Sequence, residues 1–390
     1  MRVSLLKNIF FLRSEPKREI ELDFVRAIAI LLAVGWHFNH VASGSFVSRA
    51  ILLPGAAIGW AGVDLFFVLS GFLIGRIIFC ELRDKGSFDL KRFYIRRFFK
   101  LWPLLYMSLF ALAVFSGEPP FQYVPQIAFH VQNYFAPSIA NHLWSLAVEE
   151  HFYLIVAVLL SLFVRFRWSE RVVPTSCMLA IVIAPILRAI ANDIGMNPVE
   201  IQWQTQFRVD SLAAGVLLAW IAVFREQFWN RTFRFRTLFA VIAVLGSAVL
   251  FNSDKYSYFG STIGYSVAYV TSAAFMLSVY RTRLFTSGSW PSRLVVGISM
   301  ISYAMYIWHV PVAGFLARIA PRLGLQEGQL IYVGLCYSLS FLVAYLATVI
   351  IEQPSLVLRD KLFPRKSNGE LPAAKALTEE APLAPATNNL

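Results

Sequence analysis

The chain has 390 residues, 57% hydrophobic and only 15% charged, with a mean hydropathy of +0.60. Soluble globular domains carry about 25% charged residues, so the composition excludes that class and points to a polytopic membrane protein. The net charge of +12 does not indicate nucleic-acid binding, because the basic residues alternate between the loops of apolar segments and form no patch on a soluble domain. A membrane helix needs about 20 apolar residues. On that rule an all-α bundle of about ten transmembrane helices is expected, over roughly 21–41, 56–80, 99–116, 142–164, 172–190, 207–224, 237–252, 262–280, 295–317 and 329–352.

The loop charges agree with that count. Basic clusters precede the first helix (Arg2, Lys7, Arg13, Lys17, Arg18) and fill the loop before the third (Arg83 to Arg97), whereas residues 101–164 hold no Lys or Arg and the loop near 255 holds only Lys255. Rich and poor loops alternate, so the positive-inside rule puts both termini in the cytoplasm. The basic N-terminus has no long apolar stretch and no small-residue cleavage site, so no signal peptide is expected. "FDLKRFYIRRFFK" (88–100) mixes apolar and basic residues and suits a helix lying at the cytoplasmic interface. Residues 1–366 are expected to form the membrane domain. Residues 367–390, rich in Ala, Pro and Glu, are expected to be a disordered cytoplasmic tail.

Charged groups inside membrane helices cost about 2.5–3.5 kcal/mol each and therefore mark function or a satisfied pair. Arg26 and His37 are eleven residues apart on the first helix, close to three turns, and share a face. Asp64 on the second helix, Glu149 and Glu150 on the fourth, Arg208 and Asp210 on the sixth and His309 on the ninth all fall in the outer half with His37, and Tyr306 lies close to His309. Their convergence predicts a central polar site. Asp64 and Arg208 either shape that site or form an internal ion pair. Of the adjacent Glu149 and Glu150, about 100° apart on a helix, one is expected to reach the site and the other to brace a cation or an interface. His130, His142 and His151 carry no such signal.

His37 and His40, three apart beside several carboxylates, have the spacing of a metal pair, but no helical His-Glu-x-x-His pair accompanies them, and no metal is expected. Cys80, Cys177 and Cys336 show no ligand spacing and no disulfide framework. Phosphate-binding glycine loops and a serine-hydrolase elbow are also missing from the sequence. What remains is histidine beside carboxylate, suited to general-base work on a hydroxyl, with Arg26, Arg96, Arg97 and Lys100 at the cytoplasmic mouth to hold an anionic, phosphate-bearing donor.

"LDFVRAIAILLAVGWH", "GVDLFFVLSGFLI", "FYIRRFFKLWP", "HLWSLAVEEHFYL", "FRVDSLAAG" and "SYAMYIWH" follow one another from residue 22, and "IEQP" closes the series at 354. In this order they resemble the membrane-bound acyltransferase-3 family of O-antigen and nodulation-factor type O-acetyltransferases. The resemblance implies a multi-pass enzyme of the bacterial cell membrane that moves an acyl group, usually acetyl, from cytosolic acyl-CoA to a carbohydrate or glycolipid hydroxyl. By position, Arg26 and His37 match the family's functional Arg and His, Glu149 and Glu150 its Glu pair, and Arg97 its cytoplasmic arginine motif. Lys100 stands where the family commonly has arginine; it keeps the charge but loses bidentate phosphate grip. His37 is then the general base or a transient acyl carrier, Glu149 or Glu150 orients it, and Arg26, Arg97 and Lys100 anchor the acyl-CoA. Asp64, Arg208, Asp210, Tyr306 and His309 lie on the acceptor side. The alternative, a transporter using the buried charges as a relay, predicts repeated halves, which this sequence does not show.

Overall fold

The computed structural model describes residues 18–38, 46–137, 139–166, 169, 171–326 and 329–364. The expected tail at 367–390 and His40 lie outside them. Ten long helices occur where the hydropathy places them: α1 (Ile20–Phe38), α2 (Gly62–Lys85), α3 (Leu90–Phe115), α4 (Trp144–Arg165), α5 (Val172–Asp193), α6 (Val209–Phe224), α7 (Arg236–Phe251), α8 (Tyr265–Val279), α9 (Trp290–Ile319) and α10 (Leu330–Ala347). Among the described residues there is no strand. Eight helical stretches are long and apolar enough to cross a membrane, and they contain all of these except α1 and α6. α1 falls short because it carries Glu21, Asp23 and Arg26; α6 is apolar but only 16 residues long.

The chain is a multi-pass membrane protein, and its surface says why. α4 turns Leu154, Ile155, Val158 and Leu159 outward, and α7 turns out Leu238, Val241, Val244 and Leu245. Such belts are stable only against lipid, because the helical backbone is satisfied internally and the side chains are as apolar as the acyl chains. α2 and α9 are instead largely enclosed.

The segment expected to lie flat at 88–100 is the first half of α3. Asp89 caps α3 by accepting from the Arg92 N–H at 2.9 Å, and the helix then runs unbroken to Phe115. The helix continues through Pro103, which stands where the basic half meets the apolar half. It projects basic residues beyond the apolar part, next to the α2 terminus (Arg83, Lys85) and the final helix Gln353–Leu362 with Arg359 and Lys361. This is the basic end of the bundle.

α2 and α6 pack backbone to backbone. A Cβ at Gly71 would meet the Leu212 carbonyl at 2.1 Å, and one at Gly215 the Val68 carbonyl at 2.1 Å. Small residues at a crossing are how helices associate where no hydrophobic force separates them from lipid. That crossing brings Asp64 of α2 over Arg208 and Ser211 at the start of α6.

Candidate active site

The belt of polar residues expected at one depth is resolved into three separate clusters. Depth follows from position along a helix, but the direction a side chain points follows from packing, which hydropathy does not encode.

The first cluster is at the end of the bundle away from the basic end. Ala140, at φ 61°, turns the chain into the short helical turn Asn141–Leu143, which carries His142 toward α1 and α9. His37, His142 and His309 meet there, with ring centroids 4.9 Å apart for His37 and His309 and 5.0 Å for His142 and His309. The hydrogen bonds fix the tautomers. His309 Nδ1 faces the carbonyls of Tyr306 (2.7 Å) and Met305 (3.2 Å), so it donates, and its Nε2 carries the lone pair. That Nε2 lies 3.2 Å from His37 Nδ1, which also lies 3.0 Å from the Ala33 carbonyl. Both neighbours accept, so His37 Nδ1 carries the hydrogen and the lone pair of its neutral ring is on Nε2. His37 lines a cavity; His309, fully buried, stands behind it. Sequence reasoning passed over His142; its only signal was its place at the opening of "HLWSLAVEEHFYL".

The second cluster faces the basic end. Arg26, Arg97, Lys100 and Glu149 line one cavity together with Ser70 and Tyr153. Tyr153 donates to Glu149 Oε2 at 3.1 Å and shares a 2.6 Å hydrogen bond with Ser70, while Arg97 lies 4.8 Å above the Tyr153 ring. Among the described residues neither Arg26 nor Arg97 is in an ion pair with a carboxylate. Lys100 is paired with Glu352, the glutamate of "IEQP". Glu150 points elsewhere and accepts from Trp102 Nε1 at 3.4 Å. The cavity continues toward the basic end, where Arg18, Arg96, Lys100 and Arg359 line its neighbour.

Tyr306 and Val63 line both the His37 cavity and the Glu149 cavity, and so form the wall between them. The Tyr306 hydroxyl donates to the His142 carbonyl at 2.6 Å and shares a 2.6 Å bond with Ser145. His37 and Glu149 thus face opposite sides of one partition.

The third cluster is closed. Arg208 donates to Asp64 Oδ1 at 2.7 Å, Ser211 donates to the same oxygen at 2.8 Å, and the Arg208 guanidinium lies 3.8 Å from the Tyr265 ring centre. Asp210 pairs with Arg188 at 2.8 Å, and Arg188 also donates to the carbonyls of Phe207 and Thr262. All four charged side chains are essentially inaccessible. Among the described residues no group of three or more His, Cys, Asp or Glu is arranged to hold a metal ion.

The bundle thus holds a histidine-lined cavity and an arginine-lined cavity that share Tyr306 and Val63. Comparison with known proteins gives the class: the family model described as an acyltransferase domain, acyltransferase-3, matches residues 19–349. The chain belongs to this family. It is similar to the peptidoglycan O-acetyltransferase OatA of Listeria monocytogenes, with 26% identity over 85% of this chain and 55% of the relative. It also resembles the putative peptidoglycan O-acetyltransferase YrhL of Bacillus subtilis (27%, covering 75% and 48%) and the O-acetyltransferase OatA of Staphylococcus aureus (26%, covering 76% and 50%). The chain spans about half the length of these relatives. No solved structure matches it.

Proposed function

We propose that the protein O-acylates an extracytoplasmic glycan, drawing the acyl group, acetyl by preference, from acyl-CoA on the cytoplasmic side. The observation that carries this reading is the shared wall: His37 lines one cavity, Arg26 and Arg97 line the other, and only Tyr306 and Val63 line both. The names of the relatives, O-acetyltransferases of peptidoglycan, support a carbohydrate acceptor. The basic end is read as cytoplasmic by the positive-inside rule.

The residues divide the work as follows. Arg26 and Arg97 hold donor phosphate or the pantetheine entrance, as charges not already spent on a carboxylate. Lys100, paired with Glu352, positions the mouth. The thioester end of the donor passes beside Tyr306 and Val63 into the His37 cavity, where the lone pair on His37 Nε2 takes the acceptor hydroxyl proton as that oxygen attacks the thioester carbonyl carbon. Collapse of the tetrahedral adduct breaks the carbon–sulfur bond, the thiolate takes the proton back from His37, and ester and thiol are the products. His309 and the Ala33 carbonyl hold His37 in the required tautomer, the part first expected of Glu149 or Glu150. Glu149, held by Tyr153 on the donor side, balances the two arginines. The Asp64–Arg208 and Arg188–Asp210 pairs fasten the helices that carry the site.

The test is transfer of labelled acetyl from acetyl-CoA to total envelope glycans, using membranes with wild-type protein or His37→Ala. Label with wild type alone is the expected result. Equal label with both would remove His37 from the chemistry, and label with neither would overturn the acetyl-CoA reading.

A further inference from the structure

Lys255 is a buried cation with no role in the chemistry just described. It sits in the loop between α7 and α8, is 4% exposed, and lines the same cavity as His37. Its Nζ donates to Gln202 Oε1 at 3.2 Å and lies 4.2 Å from the Trp36 ring centre and 4.5 Å from that of Tyr256. The neighbouring carboxylate, Asp254, is used elsewhere: its Oδ1 accepts from the Tyr256 N–H at 2.9 Å and ties off its own turn. Among the described residues no carboxylate pairs with Lys255.

Burying an ammonium without a counter-charge costs several kcal/mol, and two ring faces and one amide oxygen offset only part of that. The loop nonetheless holds the lysine in place. Gly260 packs so closely beneath it that a Cβ would meet the Asp254 carbonyl at 2.1 Å and Lys255 Cα at 2.7 Å. Much of the wall is aromatic: Trp36, Trp60, Trp144 and Trp203, four of the chain's ten tryptophans, line the same cavity. Flat apolar faces with polar edges suit the faces of a sugar ring, and a fixed cation beside them suits an acidic substituent on that sugar.

We propose that the acceptor is an acidic glycan, and that Lys255 selects it by binding an anionic substituent, carboxylate or phosphate, on the sugar whose hydroxyl reaches His37. This rests on the reading that the His37 cavity takes the acceptor. It adds what that reading lacks, the chemical class of the acceptor and the residue that recognises it.

The experiment uses membranes containing the full-length protein, labelled acetyl-CoA, and total envelope glycans in three portions. One portion is untreated, one has its carboxyls capped as methylamides, and one is dephosphorylated. With wild type, one of the two treatments is expected to lower labelled ester by tenfold or more, and which one does so identifies the anion. Lys255→Gln should label all three portions alike, at the low level of the treated one, whereas Lys255→Arg keeps the preference. Equal labelling of all three portions by wild type would overturn the inference and leave O-acylation standing. So would a Lys255→Gln protein that keeps the wild-type preference, or one that loses it together with its detergent melting temperature while Lys255→Arg does the same. Failure to label any portion would overturn the inference together with the function beneath it.

Discussion

His309 Nε2 faces His37 Nδ1 across 3.2 Å, and the direction of that hydrogen bond is set by backbone: two carbonyls of α9 oblige His309 Nδ1 to donate. His309 therefore acts through His37 and is a positioning residue. His309→Ala leaves the Ala33 carbonyl as the acceptor for His37 Nδ1, so the tautomer survives while the ring loses its lateral support. The expected result is kcat lowered about 10- to 100-fold, below the ~10²–10⁴ of a lost general base, with both KM values within twofold. His309→Asn, whose amide oxygen can still accept, should recover part of the loss. A merely structural His309 would lower the amount of folded enzyme and leave kcat per folded molecule unchanged.

The wall between the cavities makes a different prediction. Tyr306 is held by the His142 carbonyl and Ser145 and fills the partition with its ring. Tyr306→Ala widens the passage beside the thioester arm and lets water through from the His37 side, and excluding water is how such a site avoids hydrolysis. Thiol release from acetyl-CoA should then outrun ester formation, whereas the two match in wild type. Tyr306→Phe keeps the ring and should stay coupled. Parallel assays of free thiol and labelled ester decide it; coupled turnover in Tyr306→Ala would mean the ring does not seal the wall.

The sequence laid out the helices more fully than the site. Each apolar run became a helix, because hydropathy and length set where a chain can cross lipid. What hydropathy leaves open is the azimuth of a side chain. Glu149 and His37 occupy similar depths in sequence yet face different cavities, with Tyr306 between them. Asp210 showed no partner in the sequence, and the packing of α5 on α6 pairs it with the buried Arg188. Lys100 meets Glu352 across 252 positions. Amphipathic composition likewise does not say whether 88–100 forms a helix of its own or, as here, the first half of α3.

The Asp64–Arg208 pair tests the assignment of that cluster to structure. Arg208 Nε and Nη1 have no hydrogen-bond partner, so the charge already depends on Asp64 and on the Tyr265 ring. Removing one member of a buried pair leaves an uncompensated charge, worth about 3–5 kcal/mol, while replacing both by apolar groups is often close to neutral. Asp64→Leu should therefore cut the yield and melting temperature of detergent-purified protein sharply. Asp64→Leu with Arg208→Leu should regain much of both, with acyl transfer returning in proportion. A double variant that folds normally but transfers nothing would move the pair into the acceptor site.

Lys255 supplies a pH signature. It lies outside the membrane-spanning helices, between Phe251 and Gly260, and burial pushes its ammonium down to about 7, with Arg208 adding to the fall and Asp254 opposing it. A lysine binds an anion only while protonated, so selection of an acidic acceptor should be full below about pH 6 and fade as the pH rises through 7. His37 and His142 line the same cavity, so the quantity to measure is a ratio. Dividing kcat/KM for the untreated glycan by kcat/KM for the capped or dephosphorylated one cancels whatever the histidines contribute to the chemistry. In wild type that ratio should fall toward one with a single step. In Lys255→Arg, whose guanidinium stays charged across the range, it should hold steady, and in Lys255→Gln it should be flat and near one throughout. A wild-type ratio that does not change with pH would mean that a group other than Lys255 reads the charge.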